Sequence, residues 1–519
     1  MMGASWQQCW ACISTGEGQG RPLHSGLIYL LSFIGFKIGG LCVLHVMSYI
    51  IITLNSFLFY TLLKRLTQDK VFVVTGALAF CLFPADTTQI FLTSSFSAQP
   101  SLMFLLLALL CYVSDKKVCS YMLILAALLC YETVFPVFLA APLLEINAES
   151  KLKDRLTTHA LILGTMLVCV FILRLIFHQV EIHELGVPSS PFLVLSQVIK
   201  NMLIGPLVVM AMFLHRSNPT LLHLNKDMLL LFFLCIIGLT VAMFRLGLDP
   251  SGQNITPHSK KSNPSWVKLA WIGLIMTVLA YPFTLTTSAW DIAGRASRVH
   301  TAAILGGCIL FASICSGAFI AAARLRKIMI VDLAIFFSLL IGFGLVTQQD
   351  YKISWQYQRA FWTDLIRLCP DITDGSVIFV DPAGLKETDQ VFTYSWSLPL
   401  ILEHLYYFPE TWQVIPRVYK LEPGWRDKIV VKGNTINFRK AVNFLWWIRD
   451  DAVVASNAIL IQDKAGVLTR STTPVNAGGQ IIKFKKISAS SKPAFLEQDL
   501  YKYLIKNPAE PSIHYLEER

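Results

Sequence analysis

Charged residues are scarce in this 519-residue chain: Asp, Glu, Lys and Arg make up 15% of it, whereas hydrophobic residues make up 54%. A soluble globular domain contains nearer a quarter charged residues. Apolar runs of roughly 18 to 25 residues recur through the first two thirds, and a helix of this length crosses a bilayer. The composition therefore excludes a wholly soluble protein and predicts a polytopic helical membrane protein whose first partner is the lipid bilayer.

Several catalytic signatures are also missing. The sequence contains no Walker loop, no dinucleotide glycine pattern, no Ser–His–Asp arrangement and no zinc-spaced cluster. These absences argue against an ATP-driven pump and against an intramembrane metalloprotease. The twelve cysteines lie mostly inside apolar runs, where they act as small hydrophobic residues.

The formal net charge is +11, and the lysines and arginines occur in short clusters between apolar runs. Cytoplasmic loops of membrane proteins have this pattern, so the charge needs no nucleic acid to explain it, and we predict no nucleic-acid partner. With these clusters in the cytoplasm, Asp86, Glu132 and the loop Asp291–His300 lie on the opposite, extracytoplasmic side. The clusters are at 64–70, 116–117, 151–155 and 324–327.

The predicted fold class is mostly α: a polytopic bundle of about 10–11 transmembrane helices over residues 41–346, followed by a small α/β domain over 347–519. Gly205-Pro206 in the middle of one segment favours a broken or re-entrant helix there. The expected segments are 41–63, 71–85, 97–114, 118–131, 132–147, 156–177, 191–214, 227–244, 266–287, 300–323 and 328–346.

The C-terminal domain is predicted from a change of composition near residue 347. Helical periodicity predicts a helix over Trp355–Cys369, and short apolar stretches between turn residues predict strands. The predicted strands are Ser376–Val380, Lys428–Lys432, Ala458–Gln462, Val467–Arg470 and Gln480–Lys486, and Pro493–Lys506 is predicted to be a closing helix.

Two carboxylates at the outer ends of apolar segments are candidate catalytic residues. Asp86 follows Phe83-Pro84, so it is either a turn residue or a carboxylate that binds a metal or an acceptor. Glu132 lies in an apolar stretch where an unpaired charge costs about 2–3 kcal/mol or more. A hairpin tip at Tyr131-Glu132 would place it in an aqueous cavity, and a purely structural role is the alternative for both carboxylates.

Four basic residues predicted on the same side are candidate ligands of an anion. Arg174 near the end of segment 156–177 either snorkels to the interface or donates to phosphate oxygens. Arg295, Arg298 and His300 lie in an outer loop, against the usual distribution of basic residues. We predict that they bind an anionic lipid phosphate, and ordinary headgroup contact is the alternative.

The order of motifs over residues 20–147 resembles the GT-C glycosyltransferases, and more narrowly the bacterial relatives of the protein O-mannosyltransferases. Cys130-Tyr131 stands where the family usually has Ser-Lys before its acidic residue. The matching motifs are Gly20-Arg21-Pro22-Leu23, then His45 with Asn55, then Phe83-Pro84 with Asp86, and a short helix that ends near Glu132.

The resemblance implies a membrane hexosyltransferase of the bacterial inner membrane. Such an enzyme moves a sugar from a polyprenyl-phosphate donor to an extracytoplasmic acceptor, here of unknown identity. A carboxylate takes the acceptor proton or binds a divalent metal ion, Mg²⁺ or Mn²⁺, which assigns Asp86 and Glu132 to catalysis. The residues assigned to substrate binding are Arg21, Arg174, Arg295, Arg298 and His300.

One feature departs from the family. There, a first span with an acidic pair precedes the Gly-Arg-Pro segment, whereas here 19 residues precede Gly20 and Glu17 is the sole acid among them. Residues 1–40 are therefore predicted to be the remnant of a first outer loop with an interfacial helix. Truncation is the favoured explanation, and an inactive chain or substitution by Glu17 are the others.

Two other classes of function stay open at this point. A lipid or sugar transporter or flippase predicts an inverted repeat and polar residues at the bilayer midplane, and the sequence displays neither. A non-enzymatic membrane scaffold predicts that the acidic residues and arginines do not converge in space.

Overall fold

The computed structural model divides the chain into two compact units, Gly3–Thr347 and Gln348–Arg519. Glu17 and Gly20 lie outside the described residues. The structure describes residues 5–14, 21–89, 91–145, 152–176, 190–217, 226–246, 248, 266–285, 288–292, 294–383, 398–442, 451–464, 467–486 and 495–505.

The first unit is built from helices. A 3₁₀ helix at Glu132–Leu144 follows the sixth α-helix, and a second at Gly294–Ala303 precedes the eleventh. The α-helices are α1 Trp6–Ser14, α2 Pro22–Leu66, α3 Lys70–Cys81, α4 Leu92–Ser95, α5 Ala98–Val113, α6 Lys117–Cys130, α7 Leu152–Ile176, α8 Pro191–His215, α9 Lys226–Arg245, α10 Trp266–Val278, α11 Ile304–Ala321 and α12 Arg326–Leu368.

Six helical segments are long and apolar enough to cross a membrane, and shorter apolar helices lie between them. Together they overlap the predicted segments, so a mostly helical fold with several helices of membrane-spanning length is confirmed for the described part of the chain. The exact number of crossings stays a prediction. The six long segments are Pro22–Leu66, Leu92–Val113, Leu152–Ile176, Pro191–His215, Ala296–Ala321 and Ala323–Leu368, and the shorter ones are Lys70–Cys81, Lys117–Cys130, Glu132–Leu144, Leu229–Arg245 and Trp266–Val278.

Helix α2 is interrupted at Gly39-Gly40. Gly40 has φ 68° and ψ −148°, a backbone region that glycine adopts because it has no Cβ to clash. Pro22 begins the helix at a position where the missing proline N–H leaves no hydrogen bond unmade. The break therefore separates residues 22–38, which coincide with the predicted first-loop helix, from residues 41–66.

Helix α8 continues through Gly205-Pro206, so the predicted break in it is wrong. Tertiary contacts in the turn and a half before the proline hold the helix. The side chain of Asn201 donates to the carbonyl of Thr284 and accepts from the backbone N–H of Ala289, each at 3.0 Å. Gly205 lies against the ring of Tyr281, where a Cβ would clash. Whether α8 is re-entrant stays a prediction.

Helices α10 and α11 approach each other closely at glycines. A Cβ built on Gly306 would lie 2.6 Å from the carbonyl oxygen of Gly273 and even closer to the backbone nitrogen of Thr277. A Cβ on Gly273 would lie 2.6 Å from the backbone nitrogen of Leu310. Small residues allow such an approach between membrane helices, and these neighbours are backbone atoms that cannot rotate away.

Gly306→Ala is expected to lower the free energy of unfolding by about 1–3 kcal/mol, because the added methyl group overpacks this contact. Thermal unfolding of the purified protein in detergent checks the effect. Gly164→Ala in α7 is the matched control, since nothing lies within 4 Å of its Cβ. That control is expected to be neutral or stabilising by up to about 1 kcal/mol. Equal stability of the two variants would contradict the close approach.

The second unit contains short strands and helices. Its α-helices are α13 Ile401–Leu405, α14 Trp425–Lys428 and α15 Asp499–Leu504. The strands are β1 Val377–Asp381, β2 Tyr406–Tyr407, β3 Arg417–Lys420, β4 Val430–Lys432, β5 Thr435–Asn437, β6 Ala452–Val454, β7 Ala458–Lys464, β8 Val467–Arg470, β9 Val475–Ala477, β10 Gln480–Ile482 and β11 Leu496–Glu497.

A mixed four-stranded sheet in the order β3-β1-β7-β8 forms the centre of this unit. Strand β1 runs parallel to β3 and β7, with Ile378 opposite Val418 and Ile459, and β8 returns antiparallel to β7. The first four residues of β1 are buried, as expected for a parallel strand covered on both faces.

The strand predictions are largely confirmed, and the end of the chain is the main correction. The predicted strand Gln480–Lys486 stops at Ile482, and the predicted helix Pro493–Lys506 is reduced to Asp499–Leu504. The reason is that Leu496 and Glu497 form a strand that pairs with Tyr406–Tyr407.

A buried ion pair ties the last residues of the central sheet to the segment before β1. Arg470 donates from Nη1 and Nη2 to the two carboxylate oxygens of Asp371, at 2.5 and 3.0 Å, and the two side chains are 1% and 3% exposed. Arg470 also donates to the carbonyls of Leu368 and Lys485. All three nitrogens of the guanidinium therefore have an acceptor inside the unit.

Candidate functional site

Glu132 lies at a break between two helices of the first unit. Tyr131 has φ −152° and ψ 103°, which ends α6, and Glu132 is the first residue of the following 3₁₀ helix. Arg21 donates from Nε to Glu132 Oε2 at 2.7 Å and from Nη2 to Oε1. Arg174 Nη2 lies 3.7 Å from the same Oε2. Two arginines far apart in sequence thus flank one carboxylate.

Aromatic rings extend this cluster. The guanidinium carbon of Arg21 lies 5.2 Å from the centre of the Tyr131 ring, which is cation–π distance. The His24 ring is stacked 6.3 Å from the same tyrosine. Because His24 follows Arg21 by three residues at the start of α2, both side chains lie on one face of the helix.

Asp86 joins two segments that are far apart in the sequence. Its Oδ1 accepts from the backbone N–H of Thr88 at 2.8 Å and from the Thr88 hydroxyl at 2.7 Å. Its Oδ2 accepts from the hydroxyl of Thr301 at 2.6 Å. The side chain of Ser297 accepts in turn from the backbone N–H of Thr87 at 3.0 Å. Asp86 is therefore a turn residue that also fixes the second 3₁₀ helix.

Burial and hydrogen bonding shift the pKa of the Asp86 carboxyl in opposite directions. Burial raises the pKa of Asp86 above its ordinary value, and the bonds from Thr301 and Thr88 and the nearby charge of Arg298 oppose that rise. A carboxylate with a raised pKa is a stronger base than a solvated one.

A small open cleft with a cavity volume of about 40 Å³ lies beside Tyr131 and Arg298. Arg298 and His24 supply cationic or hydrogen-bonding groups, and the start of α5 supplies hydroxyls and the positive end of a helix. The lining residues are His24, Thr93, Ser94, Ser97, Ala98, Tyr131 and Arg298. A cavity of this volume holds about three water molecules and is far smaller than a typical small-molecule site, so it has room for one small polar group such as a phosphate.

Charge favours an anion in this region. Arg21, Arg174 and Arg298 contribute three positive charges, whereas Asp86 and Glu132 contribute two negative ones. His24 interacts electrostatically with Arg21, Glu132 and Arg298, and Asp86 interacts with Arg298. Arg298 lines the cleft itself, and the Arg21–Glu132–Arg174 group lies beside its lining residue Tyr131. The region therefore carries a net positive charge, and guanidinium groups are well suited to phosphate oxygens.

The predicted site residues thus separate into three sets. The first set is linked by contacts: Arg21 and Arg174 lie at Glu132, Arg298 lines the cleft, and Asp86 lies near Arg298. His300 is buried and turned to the hydroxyl of Tyr281, 2.8 Å from its Nδ1, and it does not line the cleft. Arg295 belongs to the second 3₁₀ helix, and its side chain lies outside the described residues.

The carboxylates do not fit a divalent metal ion in this arrangement. Hydroxyl and N–H donors occupy both oxygens of Asp86, and guanidinium donors occupy both oxygens of Glu132. Mg²⁺ and similar ions need carboxylate oxygens that are free to coordinate. In the described residues no group of three or more His, Cys, Asp or Glu side chains converges either. Mg²⁺ or Mn²⁺ remains an untested expectation.

Sequence analysis missed the uncharged part of the site. It assigns no role to His24 or Thr301, names Tyr131 only as the neighbour of Glu132, and omits the hydroxyls of α4 and of the residue before α5. Two signals could have found them. His24 stands one helical turn after Arg21, and Thr93, Ser94, Ser95 and Ser97 form a hydroxyl-rich stretch between two apolar segments.

A different cluster occupies the end of α6 that is remote from Glu132. Lys117 and Arg155 both pair with Glu145. Nearby, His159 is 1% exposed and lies 2.8 Å from the hydroxyl of Tyr121 and 2.9 Å from the carbonyl of Phe138. Both ring nitrogens have partners, so this histidine is a packing element between helices.

Comparisons of this chain with protein-family models, with curated proteins and with solved structures find no match.

Proposed function

We propose that this chain is a membrane glycosyltransferase that moves a sugar from a polyprenyl-phosphate donor to an extracytoplasmic acceptor. The observation that supports the proposal best is the pairing of Arg21 and Arg174 with Glu132 beside a cleft that Arg298 lines. Together with the sequence resemblance to GT-C enzymes, this arrangement favours a phosphate-bearing substrate at a membrane-embedded helical bundle.

The proposal assigns a role to each group. Arg298 at the cleft binds the donor phosphate and stabilises the charge that develops as the phosphate leaves. Asp86 is assigned as the base with a raised pKa, and it takes the acceptor proton once the Thr301 hydroxyl leaves its Oδ2. Glu132 keeps Arg21 and Arg174 in place, so it acts as a positioning residue more than as a base. The site faces the extracytoplasmic side of a bacterial inner membrane, and residues 348–519 are assigned to that side as well.

The alternatives make different predictions about the same groups. A scaffold needs no convergence of acids and arginines, and the observed cluster speaks against it. A transporter needs its polar groups on a path through the bundle, whereas the described cluster gathers at helix ends: Arg21 precedes α2, Asp86 follows α3 and Glu132 follows α6. The enzyme hypothesis is therefore favoured.

Arg298→Gln is expected to raise the KM for the donor at least about tenfold, because a charge-assisted hydrogen bond to phosphate is worth about 1.5–3 kcal/mol. The measurement is the consumption of a radiolabelled polyprenyl-phosphate hexose by membranes that contain the protein, with membranes that lack it as background.

Arg65→Gln is the matched control for this experiment. Arg65 is an exposed arginine at the basic end of α2, where it donates to the hydroxyl of Ser114 at 2.5 Å. Its replacement is expected to leave the KM unchanged. Either no donor consumption above background or an unchanged KM in Arg298→Gln would contradict the proposal.

A further inference from the structure

Arg216 lacks a carboxylate partner in the described part of the chain. It follows the last residue of α8, and its Nη2 donates to the carbonyl of Ile292 at 2.5 Å. Its guanidinium carbon lies 5.0 Å from the centre of the Phe343 ring. Its Nε is buried and has no hydrogen-bond partner. A partly buried guanidinium with one carbonyl, one ring and an unused donor is incompletely neutralised.

An apolar groove is lined by the sequence neighbours of Phe343, the ring that Arg216 contacts. It lies between α9 and α12 and has almost no polar surface. The residues of α12 that line it include Gly342 and Leu345, which are one residue before and two residues after Phe343. The lining residues are Leu231, Phe232, Cys235, Ser338, Ile341, Gly342 and Leu345. The ring that contacts the guanidinium is therefore the sequence neighbour of a lining residue, at the level of the Gly342–Leu345 part of the groove.

The sequence of α12 indicates how the groove is oriented relative to the bilayer. Phe343 stands one turn before Thr347-Gln348-Gln349-Asp350, where the apolar stretch gives way to polar residues. Ser338 at the other end of the groove lies within the apolar stretch. The cation is therefore at the level where a bilayer turns from headgroups to hydrocarbon, and the groove runs from that level into the hydrocarbon.

We propose that Arg216 and the groove between α9 and α12 form a binding site for one anionic glycerophospholipid. The phosphate accepts hydrogen bonds from the guanidinium, and one acyl chain lies along Phe232, Cys235 and Ile341. The groove opens toward exposed apolar side chains of α9, among them Leu230 and Leu234, so the lipid enters from the bilayer.

This lipid is distinct from the sugar donor. Neither α9 nor α12 contributes a residue to the cleft at His24, Tyr131 and Arg298. Arg216 contacts Ile292, outside the second 3₁₀ helix that carries Ser297 and Thr301. The site therefore requires nothing of the proposed transferase activity, and failure of one proposal leaves the other standing.

Native mass spectrometry of the full-length protein tests the site. Nanodiscs of phosphatidylcholine with a minor fraction of phosphatidylglycerol supply the lipid, and we expect one phosphatidylglycerol retained per chain. Arg216→Gln is expected to reduce the retained fraction at least about tenfold, in line with the loss of a charge-assisted hydrogen bond. Arg245→Gln, at the exposed end of α9, is the charge control and is expected to retain the lipid.

A second pair of variants covers the case in which Arg216→Gln fails to fold. Cys235→Phe fills the groove and leaves the arginine in place, whereas Leu234→Phe adds the same ring on the exposed face. Only the first is expected to lose the lipid. Retention in both Arg216→Gln and Cys235→Phe, equal retention of phosphatidylcholine, or no retained lipid in the unaltered protein would overturn the site. Displacement of phosphatidylglycerol by polyprenyl phosphate would overturn the choice of a glycerophospholipid.

Discussion

Asp86→Asn and Glu132→Gln are each expected to lower sugar transfer by at least about 100-fold, the lower end of what a positioned acid or base contributes. In the first variant the amide cannot take a proton from the acceptor. In the second, Arg21 and Arg174 lose the charge that holds them together. Both substitutions keep the size and shape of the side chain, so a loss of transfer reports on charge.

Asp69→Asn is the matched control for Asp86→Asn. Asp69, just before α3, has the same hydrogen-bonding pattern as Asp86. Its Oδ1 accepts from the backbone N–H of Val71 at 2.9 Å, and its Oδ2 accepts from the hydroxyl of Ser316 in α11. Asp69→Asn is expected to keep transfer within about threefold of the unaltered protein, a difference of well under 1 kcal/mol. Retained transfer in both Asp86→Asn and Glu132→Gln would remove the proposed site.

Asp371→Ala is expected to lower the free energy of unfolding of the second unit by about 3–5 kcal/mol, because it leaves the Arg470 guanidinium buried without its counter-ion. Hydrogen exchange of the β1 and β7 amides in the full-length protein, followed by mass spectrometry, measures the loss. The control is Asp427→Ala, which removes an exposed carboxylate and is expected to change the stability by less than about 0.5 kcal/mol.

The Asp371–Arg470 ion pair also determines how the stability of the second unit changes at acidic pH. Burial alone would raise the pKa of Asp371, but the hydrogen bonds and charge of Arg470 outweigh it and hold the pKa below its usual value. The stabilisation is therefore complete above the ordinary aspartate pKa, about 3.9, and is lost as the pH falls through the lower, folded-state value. Exchange in the unaltered protein should accelerate below about pH 4. The same acceleration in Asp371→Ala would assign the acid sensitivity to other groups.

The helical part of the fold was predictable because length and apolarity alone specify it. Each predicted segment coincides with an apolar helix. The same reasoning failed at Gly205-Pro206, where tertiary contacts of Asn201 and Tyr281 keep the helix intact despite the proline. It also failed at residues 496–497, where pairing with a distant strand overrides the local helical pattern.

The candidate site was predictable in its charged residues and not in its neutral ones. A carboxylate or guanidinium in an apolar stretch is costly, so Asp86, Glu132 and Arg174 stood out in the sequence. Tyr131 and Thr301 carry no such cost, and only the fold brings Thr301 to Asp86 across 215 residues. The sequence also gave no reason to expect that Arg21 would bind Glu132 through two nitrogens, because that contact joins segments 111 residues apart.

The glycine break in α2 has a mechanical consequence for Arg21. Residues 22–38 form a separate helical segment that ends at the Gly39-Gly40 break, and Arg21 lies at its far end, about 25 Å from the break. A rotation of this segment by about 10° at the break would move Arg21 by about 4 Å, which is enough to break both of its hydrogen bonds to Glu132. The Glu132–Arg21 contact therefore helps to fix the orientation of residues 22–38 relative to residues 41–66 of the same helix.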